Sequence, residues 1–126
     1  MIAYKFLDAG RVGPFTGFSW PLGEWVEASG ADPCRSGIHA CRVRDLPVWL
    51  GDELWEVDLD GHVVEQERKL VAPRGRLTRR LEEWNGDLAA ARAAELRDGP
   101  AAYEHERELQ AAWLAERLGL ERPESL

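Results

Sequence analysis

The stretch CRSGIHAC, residues 34–41, places one imidazole between two thiols. No other segment of the chain concentrates so much potential for metal binding or nucleophilic chemistry. As a metal site, Cys34, His39 and Cys41 would supply three soft or borderline ligands. The spacing is C-x4-H-x-C, however, and no second cysteine pair or His-x3-His completes a tetrahedral set, so His62 or His105 would have to be brought in by the fold. No structural metal and no cofactor is therefore expected. As a catalytic pair, His39 and Cys41 stand two apart on one strand face, where contact between thiolate and imidazolium is awkward; Arg42 and Arg44 beside Cys41 are the features in its favour. As core, Cys41 packs as a small hydrophobe and His39 donates a ring hydrogen bond. We adopt this third reading and keep His39 and Cys41 as ligand-binding candidates.

A second group is aromatic and basic. Phe15, Phe18, Trp20, Trp25, Trp49 and Trp55 all precede residue 60. So many large rings either fill a small core or line a pocket for a planar ligand, and core filling is the expectation. Gly13 and Gly17 leave backbone accessible beside the rings of 15–20. Lys5, Arg11, Arg35 and Lys69 fall at expected turns or strand ends and are the cations that could converge on such a pocket to recognise an anion. The candidate ligand-binding set is Arg35, His39, Cys41, Lys69 and Trp20. No P-loop, dinucleotide fingerprint, HExxH or GxSxG occurs.

The elements that must position these residues divide near Arg76, where Gly, Pro and Trp give way to Ala, Leu, Glu and Arg. WPLG, 20–23, predicts a turn joining FTGFSW to EWVEA as a hairpin. Gly37 lets the chain turn into 38–41, with Ile38 and Ala40 on one face and His39 and Cys41 on the other. RDLPVWLG reads as a helix of little more than one turn, capped by Asp45 and stopped by Gly51. ELWEVDLDG alternates cleanly, Trp55, Val57 and Leu59 against Glu56, Asp58 and Asp60, and predicts a strand. Asp60-Gly61 predicts a tight hairpin returning through His62, Val63 and Val64. A short strand over 69–72 should end at Pro73 and Gly75. From Leu77 the spacing Leu77, Leu81, Trp84, Leu88, Ala91 predicts helix, and a final helix carries Leu109, Ala112, Trp113 and Leu120 on one side, with Gly119 near its end.

Composition bounds the rest. With 126 residues, 44% hydrophobic and 31% charged, the chain is in the globular range and supports one core. A formal charge of -7 repels a phosphate backbone, so general nucleic-acid binding is not expected. Lys5 and Asp8 interrupt the first residues before any signal-peptide core, and no run reaches the length of a membrane span. A cytoplasmic protein with free thiols, not bound to membrane, follows.

AYKFL, GPFTGFSWPLGEWVEA, PCRSGIHACRVRDLPVWLGDELWEVDLDG and KLVAPRGRL together resemble an uncharacterised family of bacterial and phage proteins, common in actinobacteria, marked by a cysteine followed by G-[FI]-H-A-C. The resemblance runs from Ile2 to Trp84 and implies a shared fold and a shared site around Cys34, Gly37, His39 and Cys41, but no reaction. A looser similarity, in the order of strand, short helix and strand through GIHACRVRDLPVWL and LWEVDLDG, is to the ADP-ribosyltransferase fold.

The expected fold is α+β: a compact, mainly antiparallel sheet with one short helix, followed by a C-terminal helical segment. Residues 1–84 form the strand-rich domain and 85–126 a helical extension packed on it, with a monomer favoured over a dimer. The expected function is non-enzymatic, a small cytoplasmic binding or interaction module with a pocket near His39 for a small anionic ligand or protein partner. The alternative is an enzyme handling a nucleotide or ADP-ribose-like ligand.

Overall fold

The computed structural model describes residues 1–14, 16–28, 37–84 and 104–120. Along the chain these form β1 (Ile2–Leu7), β2 (Val26–Glu27), β3 (Ile38–Ala40), a 3-10 helix (Val43–Val48), β4 (Glu53–Asp60), β5 (Val64–Glu65), β6 (Leu70–Ala72), β7 (Arg74–Arg80) and α1 (Glu104–Leu118). The strands make two antiparallel sheets, ordered β1-β4-β7-β2 and β3-β6-β5. No helix among the described residues is long and apolar enough to cross a membrane.

The alternating segment forms β4 as its pattern requires. Trp55, Val57 and Leu59 are buried on one face, while both edges of β4 are taken, by β1 in the register Lys5↔Trp55 and by β7 in the register Val57↔Leu77. The two sheets are joined at both ends. β6 runs into β7 through Pro73 alone, so one stretch of chain serves both sheets and turns the corner where proline cannot donate to a ladder. At the other end Cys41, just past β3, exchanges two backbone hydrogen bonds with Tyr4 of β1, at 2.9 and 2.8 Å. The circuit β1, β4, β7, β6, β3 therefore returns to β1. Ala3, Leu7, Trp20, Ile38, Ala40, Trp55, Val57, Leu59, Leu70, Ala72 and Leu77 fill its inside.

A second apolar layer lies on the outer side of β1 and β4, where Phe6 and Leu54 meet Leu46 of the 3-10 helix, Leu81, Trp84, and Leu114 and Leu118 of α1. Phe6 and Trp84 pack edge to face with centroids 5.2 Å apart, and the Trp84 indole N–H donates to the Gly51 carbonyl at 2.8 Å. α1 ends as its glycine dictates. Gly119 has φ 68°, and the Leu120 N–H reaches back to the Ala115 carbonyl at 2.8 Å, the 6→1 bond of a Schellman cap.

Several expectations are corrected. Asp60-Gly61 does turn, with Gly61 at φ 89°, but β4 has no free edge, so the return segment leaves it and β5 pairs with β6. The stretches flanking WPLG do not pair with each other: Ser19 bridges Val12, and Val26 and Glu27 pair with Gly75 and Arg74 of β7. The short strand ends at Ala72, before Pro73, but a new strand starts at once in Arg74–Arg80, and the part from Leu77 expected as helix is strand because pairing to β4 outweighs a local period of 3.6. The short helix is 3-10. Its flanking residue is Arg42, with Asp45 buried in the first turn and ion-paired to the Arg42 Nε at 2.9 Å. Among the described side chains of α1 the buried apolar positions are Ala111, Leu114, Ala115 and Leu118, whereas Leu109 is exposed. The helical reading of 85–103 falls outside the described residues, as do Cys34, Arg35 and Phe15.

Candidate functional site

β1 carries an anomaly for a strand with a buried face. Ala3 and Leu7 are fully buried inside the circuit, and the two-residue period of a strand puts Lys5 on their side. Its ammonium donates to the His39 carbonyl at 2.6 Å and lies 5.6 Å from the centroid of the Trp20 ring. Among the described residues no carboxylate pairs with it. Desolvation draws the Lys5 pKa from the ordinary 10.5 down to about 8, against an opposing pull from the Cys41 sulfur.

Lys5 faces a cavity of about 560 Å³. Of the candidates named from the sequence, Trp20, His39, Cys41 and Lys69 all line it, and Arg35 lies outside the described residues. Phe18 adds ring surface and Val26, Ile38 and Ala40 aliphatic surface, so most of the wall is apolar, and its polar residues include Lys5, Lys69, His39, Thr16 and Glu27. Trp20 is buried, while Phe18 is 45% exposed and stands edge-on to it at 5.7 Å.

Each polar group has a state set by its surroundings. His39 is half-buried; burial first, then the charges of Lys69 and Lys5, hold its pKa below the ordinary imidazole value, so the ring is neutral at pH 7. No described residue hydrogen-bonds the ring, which departs from the packed and bonded histidine expected from the sequence. Cys41 is a free, fully buried thiol whose pKa is pushed up by burial and by the Asp45 carboxylate, against Lys5 and Arg42. A thiol held protonated in this way is a poor nucleophile, and Cys41 contributes wall and backbone to the site. Among the described residues no three of His, Cys, Asp and Glu come together as a metal site would require.

Lys69 is delivered by the turn between β5 and β6. The Arg42 guanidinium holds that turn, donating to the carbonyls of Gln66 and Glu67 while pairing with Asp45, and the Trp49 indole donates to the Arg68 carbonyl at 2.8 Å. Arg11 has a different task from the one expected: at φ 60° it turns the chain after β1, and its Nε donates to the Trp20 carbonyl at 3.1 Å, fixing the segment that carries the ring. The arginines of β7 face acids across the sheet, Arg74 to Asp60 at 2.8 Å and Arg79 to Glu56 at 3.1 Å, with Trp25 beneath Arg74 and Arg76. Those cations are already engaged.

Lys5 stood in the sequence as a strand-end cation; its place on the inner face is what that reading missed. The signal was the alternation AYKFL, in which Ala3, Lys5 and Leu7 share a parity.

No curated protein and no solved structure matches the chain. The family model for a domain of unknown function, DUF7666, matches residues 1–86, which contain every cavity-lining residue named above. The chain belongs to this domain family of unknown function.

Proposed function

We propose that this is a small cytoplasmic, non-enzymatic binding module of bacterial or phage origin, whose domain over 1–84 takes a small anionic ligand with a flat apolar body, and whose segment 85–126 is a helical extension. The observation that carries the reading is Lys5: an amine on the buried face of a strand, without a described carboxylate partner, in a ring-lined cavity shared with Lys69 and His39. Burying an ammonium unpaired is costly, and an incoming anion would repay it with charge-assisted hydrogen bonds. The rings would take the apolar body.

The test is a thermal-shift series with benzoate, benzenesulfonate, AMP and their uncharged counterparts. A ligand at 100 times its Kd adds about 2.7 kcal/mol, which for a domain of this size raises Tm by roughly 8–16 °C. The anions should shift the wild type and leave Lys5→Met unmoved. Equal shifts by charged and uncharged members, or none by any anion, would refute the reading. The nucleotide-handling alternative draws on the half-exposed Phe18 set edge-on to Trp20, a pair suited to receiving a base; a shift by AMP alone would favour it.

A further inference from the structure

The chain carries 16 basic residues, of which only two are lysine, Lys5 and Lys69; the other 14 are arginine. Both lysines line the same cavity. Along β7 the cations that pair with acids are arginines. Arginine would bind an anion at least as well and in a fixed fork, but its guanidinium does not deprotonate. What sets lysine apart is an amine that becomes a nucleophile once its proton is lost.

We propose that the cavity captures a small anionic carbonyl compound, an aldehyde or 2-oxo acid, by forming a reversible imine with Lys5 while Lys69 draws in its anionic group. The proposal deepens the anion-binding reading above and rests on it. The geometry supports Lys5 as the reacting amine: it is on the inner face of β1 among apolar walls, its ammonium held by one carbonyl acceptor at 2.6 Å and flanked by the Trp20 ring. Such surroundings raise the share of neutral amine above what it would be in water. With a pKa of about 8, about one molecule in ten carries the neutral amine at pH 7, against about one in three thousand at 10.5, a gain of about 300-fold.

The chemistry balances without a redox partner. The Lys5 nitrogen lone pair bonds to the carbonyl carbon, and the carbonyl π pair moves to oxygen. Proton transfer from nitrogen to oxygen gives a neutral carbinolamine. The carbon–oxygen bond then breaks as oxygen takes a second proton and leaves as water, and the nitrogen lone pair closes the C=N bond. The nitrogen's remaining proton leaves to solvent or stays on the iminium. Water is the only by-product, and hydrolysis reverses the sequence.

The low lysine count makes the test clean, since Lys69 and the N-terminal amine are the competitors of Lys5. The full-length protein is incubated with pyridoxal 5′-phosphate, an anionic aromatic aldehyde used as probe, reduced with borohydride and mapped by mass spectrometry. Pyridoxine 5′-phosphate, with an alcohol in place of the aldehyde, is run in parallel by thermal shift. The expected result is one adduct per chain, on Lys5, with a labelling rate that rises through a midpoint near pH 8, and a thermal shift with both compounds. Lys5→Arg should lose the cavity adduct. If the alcohol stabilises the protein but label falls on Lys69, on the N-terminus, or on all three amines alike, imine capture by Lys5 is overturned while the anion pocket stands. If neither compound shifts the melt and Lys5 stays unlabelled, both ideas fail for this class of ligand. Because the wild-type adduct is read directly, the outcome holds even if a variant misfolds.

Discussion

At the scale of single residues, the burial of Lys5 costs the fold stability. Its pKa is about 8 in the folded protein and near the ordinary 10.5 when unfolded, so between these values the unfolded chain binds more protons and folding stability rises with pH. Below pH 8 both states are protonated and the penalty of burying the charge is present in full. Lys5→Met should therefore stabilise the protein at pH 7 by roughly 1–3 kcal/mol, and the gain over wild type should shrink as pH rises from 8 towards 10. Urea melts at pH 7 and pH 9.5 measure both. A destabilised variant, or a gain that does not change with pH, would mean that the Lys5 ammonium is well solvated or well paired in the native state.

Among the elements, the corner at Pro73 and the end of α1 place different demands on glycine. Gly75, just after the corner, has ordinary strand backbone, but a Cβ there would come within 2.8 Å of the Ile38 side chain and 3.5 Å of Val57 and Leu59. Gly75→Ala must push β3 away from β7 across the filled inside of the circuit, at a cost of roughly 1–3 kcal/mol. Gly119 is the opposite case. A Cβ there meets nothing within 4 Å, but φ 68° is unfavourable for any other residue, so Gly119→Ala should cost about 1 kcal/mol through the backbone alone. Chemical denaturation of both variants separates the mechanisms, since only Gly75→Ala should also move the NMR shifts of Ile38 and the cavity residues beside it.

The whole molecule is two apolar layers on either side of β1 and β4, one inside the strand circuit and one beneath α1. The cavity and its lysines belong to the strands, whereas Leu114 and Leu118 of α1 cover Phe6, Leu54, Leu81 and Trp84. Ending the chain at Trp84 removes that cover and leaves large apolar side chains without a partner, which favours self-association. Light scattering should find the full chain monomeric and the shortened one associating, with a Tm lower by 5 °C or more as an order-of-magnitude estimate. A full-length dimer that becomes a stable monomer on shortening would instead make α1 an assembly element.

What could be read from the chain alone was local. The alternation of ELWEVDLD determined β4 because a half-buried strand needs that period, and Gly119 determined the end of α1 because its backbone angle suits almost no other residue. The cluster of candidates around His39 was likewise visible as residue types. Tertiary structure decided everything that depended on a distant partner. Leu77, Leu81 and Trp84 satisfy a helical period, and only pairing with β4 made Arg74–Arg80 the strand β7. Asp60-Gly61 turns either way, and only the occupation of both β4 edges sent the return segment to β6. Lys5 is one cation in a short alternating run until β1 is closed against β3 by Tyr4 and Cys41; burial then lowers the pKa of an ammonium facing a cavity, because the desolvation that shifts its proton comes from walls supplied by other segments of the chain.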